Sequence, residues 1–133
     1  MYTHVQAVLL DEKKNAVMVR KFDLFVRKKR WRLVKGTRAP GEKPEKTLKR
    51  EVAEETGLRK LSGIKRVFSY SYSDPFRGNV RVLCLRAFFK GKPRVTREAA
   101  EEGIDAVRIV PAKKAIEMLF WKKEKQALAK ATR

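Results

Sequence analysis

The 133-residue sequence contains little cysteine, histidine or acid. A single cysteine, Cys84, excludes an internal disulfide and a cysteine-rich metal site, and its apolar neighbours predict that it is buried. The single histidine, His4, is predicted to be structural rather than catalytic. No apolar run approaches the roughly 18 residues of a membrane span, and the first ten residues lack the features of a signal peptide. We therefore expect a cytoplasmic protein with no membrane partner.

Acidic residues are far outnumbered, because 34 Lys and Arg against 15 Asp and Glu give a formal net charge of +19. Such an excess creates a positive field that attracts phosphorylated ligands, nucleic acid or acidic surfaces, although it also occurs on surfaces that are simply solvated. RNA is therefore retained as a candidate partner. The oligomeric state is unknown from the sequence.

The length and the 43% hydrophobic content predict one domain over residues 1–133. Alternating or apolar runs predict strands at 3–10, 16–22, 23–29, 31–34, 61–73 and 80–89, and within 101–110. Pro44 and Gly57 predict the start and the C-terminal cap of a helix over 44–56, and Pro111 opens a C-terminal helix. A basic helix or tail is expected at about 120–133. These elements predict an α/β fold, with a mixed sheet flanked by helices.

Three glutamates lie within the stretch REVAEETG, residues 50–57. On a helix, Glu51, Glu54 and Glu55 share an arc of about 100°. This crowding is unfavourable, because like charges repel at i,i+4 and the helix C-terminus prefers cations. The same carboxylates become favourable when they hold a divalent cation such as Mg²⁺. Basic residues upstream suit phosphate, so the region indicates metal-assisted phosphoryl chemistry.

Residues 36–58, GTRAPGEKPEKTLKREVAEETGL, resemble the signature of the Nudix hydrolases. That signature is a glycine, five residues, a glutamate, seven residues, and R-E-U-x-E-E-x-G-U, where U is a bulky apolar residue. Every specified position matches: Gly36, Glu42, Arg50, Glu51, Val52, Glu54, Glu55, Gly57 and Leu58. The resemblance implies a Nudix-type α/β/α sandwich and the hydrolysis of a P–O–P linkage by metal-activated water.

The resemblance also implies roles for individual residues. Mg²⁺ or Mn²⁺ would be held by the carbonyl of Gly36 and by Glu51, Glu54 and Glu55. The implied catalytic residues are Glu51, Glu54 and Arg50; which glutamate is the general base stays open, and Arg50 would orient a carboxylate. Glu42 would lie in the outer metal shell, and Gly57 would cap the helix. Many members of the family add a glutamate from a later loop, for which Glu102 is favoured over Glu98 and Glu101.

The substrate has to be predicted from weaker features. The stretch WRLVKG, residues 31–36, resembles the W-x-L-P-K-G sequence of the dinucleoside polyphosphate branch, with Val34 in place of proline. The predicted substrate-binding residues are Arg32, Lys35, Arg38 and Arg81 for phosphate, and Tyr70 and Tyr72 for a base. Alternatively, the tyrosines form a core-facing stripe, and Arg81 is a solvated edge charge.

The charge favours a strongly anionic substrate, either a dinucleoside polyphosphate or a nucleoside triphosphate. Three alternatives stay open. These are an ADP-ribose-type sugar nucleotide, the 5′-phosphorylated end of an RNA, and a non-catalytic RNA-binding module on the same scaffold.

Overall fold

The structure is a computed structural model that describes residues 2–133, apart from the side chain of Tyr2. Its elements, in chain order, are β1 (Tyr2–Leu10), β2 (Asn15–Asp23), β3 (Lys28–Arg32), β4 (Val34–Thr37), α1 (Pro44–Thr56), β5 (Lys60–Asp74), β6 (Gly78–Lys90), α2 (Arg97–Glu101), β7 (Ile104–Pro111), α3 (Ala112–Met118) and α4 (Lys122–Ala131).

The described strands form a mixed sheet in the order β3-β2-β1-β6-β5. β1 and β6 are parallel, and the other pairs are antiparallel. β1 and β2 meet at Leu10 and Ala16, after which β2 pairs with β3 and β7 while β1 pairs with β4. The sheet therefore opens into two leaves beyond this point. β6 is a central strand, as its apolar sequence predicts.

Helices cover both faces of the sheet. On one face, Leu48 and Val52 of α1 pack with Val5, Leu85 and other buried residues. On the other face, Leu128 of α4 belongs to a second buried cluster, built from β1, β2 and α3 residues. The predicted mixed sheet between helices is confirmed. Cys84 is buried, as predicted, and so is His4.

The local signals of α1 define both of its ends. Pro44 occupies the first turn, where a missing N–H costs no intrahelical hydrogen bond. Gly57 adopts the left-handed conformation, with φ of 76°, and its N–H donates to the carbonyl of Ala53. The predicted helix over 44–56 and its glycine cap are therefore confirmed.

The strand predicted over residues 23–29 is wrong, because a turn separates β2 from β3. The Asp23 carboxylate accepts a hydrogen bond from the N–H of Phe25 at 2.8 Å, which stabilises the turn. Arg27 has a φ of 51° and ends it. Leu24 and Phe25, which make the stretch look strand-like, are 79% and 66% exposed.

The C-terminal region forms two helices, α3 and α4. Of the helix or tail expected at about 120–133 the structure has a helix, α4, which packs on the sheet through Ala127, Leu128 and Ala131. The lysines of α4 lie on the side away from the sheet. The helix is therefore amphipathic, with a buried apolar stripe, although its sequence is strongly charged. Among the described residues, no helix is long and apolar enough to cross a membrane.

Candidate active site

Three carboxylates converge beside the C-terminal half of α1. Glu51 and Glu54 come from the helix, and Glu102 follows α2. One oxygen from each lies within 4.8 Å of the others. Of the three glutamates considered for a later loop, the structure brings Glu102 to the helix, whereas Glu101 pairs with Arg97 at 3.4 Å. Glu51, Glu54 and Glu102 form the acidic cluster.

Thr96 connects the two helices that carry the acidic cluster. Its hydroxyl accepts the N–H of Ala99 at 3.0 Å and so caps α2. The same hydroxyl donates to the carbonyl of Glu54, near the end of α1. These two bonds join α2 to α1 and place Glu102 opposite Glu51 and Glu54. Thr96 is not among the residues predicted for the site, and its only signal in the sequence is a threonine in front of a short acidic segment.

Gly36 allows Glu51 to approach β4. A Cβ atom built at Gly36 would lie 1.9 Å from Cδ of Glu51, far inside van der Waals contact. Glu51 is 8% exposed, and burial is the main cause that raises its pKa above the ordinary value. The glycine that starts the motif is therefore required by close packing against the glutamate.

Replacing Gly36 by alanine should displace the Glu51 carboxylate, since the new methyl group occupies its place. We expect hydrolytic activity to fall about 100-fold, as for other displacements of about 1 Å at a reacting centre. Steady-state kinetics and a Mg²⁺ titration measure the effect. Gly41→Ala is the control, because nothing lies within 4 Å of its Cβ position, although its φ of 76° adds strain. Equal losses in both variants would contradict the packing role.

Glu55 is buried next to the acidic cluster, with 1% exposure. Nη2 of Arg32 lies 3.4 Å from Oε1 of Glu55, and Oε2 has no hydrogen-bond partner among the described residues. Burial raises the pKa of Glu55 from 4.5 to about 8. Lys21, on β2, is a further cation, and it interacts electrostatically with Glu55 and Glu102. Burial lowers the pKa of Lys21.

The stability of the metal-free protein should depend on pH through Glu55. In the folded state Glu55 keeps its proton up to about pH 8, whereas in the unfolded state it ionises near 4.5. The folded state therefore binds more protons in this window, and the free energy of unfolding falls as the pH rises. Glutamine does not ionise, so Glu55→Gln removes this fall in stability. We expect the difference in melting temperature between the variant and wild type, measured in EDTA, to rise progressively from pH 5 to pH 8. A difference that does not change with pH would contradict the assigned pKa.

Arg50 links the first and last parts of the motif. Its guanidinium donates to both oxygens of Glu42, at 3.1 and 3.0 Å, and to Oε1 of Glu51 at 2.7 Å. It also donates to the carbonyl of Thr37 at 3.0 Å and lies 3.6 Å from Oε2 of Glu54. The hydrogen bonds from Arg50 lower the pKa of Glu42 to about 2. Arg50 thus fixes the orientation of Glu51 and ties α1 to the loop before it.

The predicted substrate-binding residues do not all lie at the acidic cluster. Arg32 is there, but paired with Glu55, and its side chain is 13% exposed. Arg38 is exposed and donates to the carbonyl of Glu42 at 2.5 Å. Lys35 lies beside Gly36 on β4, so its side chain points to the opposite face, where Nζ is 5.8 Å from the ring of Tyr72.

The two tyrosines lie on the face covered by α4. Tyr70 packs with Val82 and Ala127, and its hydroxyl donates to Oε1 of Gln6 at 3.2 Å. Burial raises its pKa well above the usual range. Tyr70 therefore fits the core-facing alternative. Tyr72 packs against the same cluster, and Arg81, on β6, is exposed.

The site thus combines three converging carboxylates with a buried fourth, Glu55, and two cations, Arg32 and Lys21. The fold is a mixed sheet between helices, with the acids on the helix that follows β4. A family model described as the NUDIX domain matches residues 3–131. The chain therefore belongs to the NUDIX family and is a pyrophosphohydrolase of that family.

Several solved structures share this fold. The NUDIX domain of Shewanella oneidensis NrtR, complexed with ADP ribose, has a TM-score of 0.77 and 19% identity, with 98% of this chain and 85% of that one covered. The dihydroneopterin triphosphate pyrophosphohydrolase of E. coli has a TM-score of 0.75 and 15% identity, with 95% and 91% covered. An Ap4A hydrolase from C. elegans has a TM-score of 0.69 and 15% identity, with 97% and 95% covered. No curated protein sequence matches the chain.

Proposed function

We propose that the protein hydrolyses a P–O–P linkage of a dinucleoside polyphosphate or a nucleoside triphosphate, with Mg²⁺ or Mn²⁺ at the acidic cluster. The observation that carries the proposal is the convergence of Glu51, Glu54 and Glu102 within 4.8 Å. Carboxylates packed this closely repel one another unless a cation lies between them.

The donor set fits a hard divalent cation. All the side-chain donors are carboxylate oxygens, which Mg²⁺ and Mn²⁺ prefer. The Oε2 atom of Glu55 is buried and has no hydrogen-bond partner in residues 2–133, so it is available as a further metal ligand. We propose that Glu51, Glu54, Glu55 and Glu102 hold the metal together with the carbonyl of Gly36. A bound cation would neutralise phosphate charge and lower the pKa of a coordinated water.

The chain's own residues position and deprotonate the attacking water in this proposal. Glu54 is 37% exposed, so it is open to substrate, whereas Glu51 is held by Arg50 beneath it. The raised pKa of Glu51 favours the acceptance of a proton from the attacking water. Glu51 and Glu54 lie in the same cluster, so either could act as the general base. Arg50 positions Glu51, and Glu42 in turn positions Arg50. Lys21 and Arg32 place positive charge next to the acids.

A strongly anionic substrate is favoured by the net charge of +19. We propose that the exposed Arg38 and Arg81 contact its phosphates. Lys35, Tyr70 and Tyr72, which the sequence also favoured for substrate binding, lie on the opposite face of the sheet and are not assigned to the substrate in this proposal. We place this activity in the cytoplasm.

Two alternative substrates follow from particular observations. The NrtR domain is complexed with ADP ribose, which favours testing a sugar nucleotide. The positive charge favours testing the 5′ end of an RNA. A panel of Ap4A, nucleoside triphosphates, ADP-ribose and triphosphorylated RNA, assayed for products with Mg²⁺ or Mn²⁺, separates these cases. Absence of hydrolysis across the panel at every metal concentration would overturn the proposed function.

A further inference from the structure

An exposed aromatic surface lies away from the acidic cluster, where the β2–β3 turn meets the link between α3 and α4. It consists of Leu24, Phe25, Phe120 and Trp121, which are 79%, 66%, 49% and 38% exposed. The ring centroids of Phe25 and Trp121 are 6.3 Å apart, and those of Phe120 and Trp121 are 4.8 Å apart. Two segments separated by about ninety residues therefore build one surface.

Polar contacts hold Trp121, at the centre of this aromatic surface, in place. Nε1 of Trp121 donates to Oδ2 of Asp23 at 3.3 Å, and the guanidinium of Arg30 lies 5.5 Å from the centroid of the Trp121 ring. Arg30 also pairs with Asp23 and, at 3.1 Å, with Glu124. The rings are thus held in position rather than left free, which lowers the entropic cost of binding a partner.

Positive charge borders the aromatic surface. Arg27 ends the turn that contains Phe25, Lys28 begins β3, and Lys122 follows Trp121; all three are exposed. Within residues 2–133, none of these three takes part in a salt bridge. The nearby acids, Asp23 and Glu124, both pair with Arg30. The three exposed cations of the border therefore remain for a negatively charged partner.

The positive charge continues along α4. Nζ of Lys123 and Nζ of Lys130 lie 6.0 and 5.0 Å from the centroid of the Phe68 ring. Together with Arg133 they line a groove of about 340 Å³. The groove begins at Lys123, two residues after Trp121, and extends to Arg133, beyond the end of α4. Cations therefore lie along the whole length of the helix.

We propose that the aromatic surface and the basic side of α4 bind single-stranded nucleic acid. Bases would stack on Phe25 and Phe120, and phosphates would lie on Arg27, Lys28 and Lys122. Phe25 and Phe120 are 66% and 49% exposed, so much of each ring is accessible to a base. A second copy of the chain fits less well, because a two-fold contact would bring these same cations together.

Binding is tested with a fluorescently labelled 12-nucleotide oligo(U) that carries a 5′ hydroxyl, by anisotropy in EDTA at 50 and 200 mM salt. This probe has no P–O–P linkage, so failure to bind is separable from failure of hydrolysis. We expect Phe25→Ala to weaken binding about 10-fold. We expect Arg27→Glu with Lys28→Glu to weaken it further and to reduce the salt dependence.

Two controls match these variants. Phe88→Ala removes a ring that is 38% exposed and lies under Arg86, on β6. Arg59→Glu with Lys60→Glu makes the same change in net charge at another exposed site. Equal weakening by variant and control would overturn the proposal, because binding would then follow net charge alone. Phe25-dependent binding to vesicles of anionic lipid, or Phe25-dependent dimerisation, without oligo(U) binding would also overturn it.

Discussion

Glu54→Gln is expected to lower hydrolysis by about 10²- to 10⁴-fold, while the fold and its stability stay near wild type. The substitution keeps the shape of the side chain but removes a negative charge from the acidic cluster and abolishes its capacity to accept a proton. Glu54 is 37% exposed, and its ion-pair partner is Arg50. In the variant, Arg50 still forms its hydrogen bonds with Glu42 and Glu51, so the substitution leaves no buried charge unpaired. The effect should therefore appear in kcat and in Mg²⁺ affinity rather than in the melting temperature.

A matched control lies close by. Glu101→Gln makes the same chemical change on α2, one residue before Glu102, at a side chain that is 66% exposed and paired only with Arg97 among the salt bridges described. We expect its kinetics to stay within about twofold of wild type. Both variants are assayed with the best substrate of the panel over a range of Mg²⁺ concentrations. If Glu54→Gln keeps activity within threefold of wild type, the acidic cluster is not the catalytic centre.

The part of the site that was predictable from the sequence is the part encoded locally. Pro44 and Gly57 define α1 by backbone chemistry, and helical spacing then places Glu51 and Glu54 on one side. The close approach of Gly36 to Glu51 follows from the family signature, although its physical reason appears only when the missing Cβ is considered. Local pattern and tertiary packing agree here, which is why the motif predicts the site well.

Other features of the fold and the site could not be predicted, because they depend on strand register and tertiary contacts. Lys35 is adjacent to Gly36 in sequence, yet strand alternation turns it to the other face of the sheet. Lys21 reaches the acids through the position of β2, which no local motif encodes. The turn after Asp23 looks like a strand because its residues are apolar, and hydrogen bonds to the Asp23 carboxylate override that preference.

The second large effect is expected on stability, at a residue outside the acidic cluster. Glu124, on α4, is 4% exposed and accepts three hydrogen bonds. Oε2 accepts the side-chain amide of Gln6 and the backbone N–H of Leu33, both at 3.1 Å, and Oε1 accepts Nη1 of Arg30 at 3.1 Å. The glutamate thereby anchors α4 to β1 and to the junction between β3 and β4.

Glu124→Ala is therefore expected to lower the free energy of unfolding by about 3–5 kcal/mol, since it leaves buried donors without an acceptor and removes one of the two acids that pair with Arg30. Urea titration followed by circular dichroism measures the change. Glu117→Ala is the control, because that side chain is 68% exposed, and its effect should stay within about 0.5 kcal/mol.

Glu124→Gln separates the charge of this anchor from its hydrogen bonds. The amide oxygen can still accept the N–H of Leu33, whereas the ion pair with Arg30 is lost, so the loss of stability should be smaller than for alanine. If alanine and glutamine are equally destabilising, the ion pair dominates; if neither is destabilising, the anchor is not required. In a chain with 34 Lys and Arg, Glu124 is a buried acid that pairs with a cation of another element, Arg30 on β3. Its loss should therefore destabilise this protein far more than the loss of one surface cation.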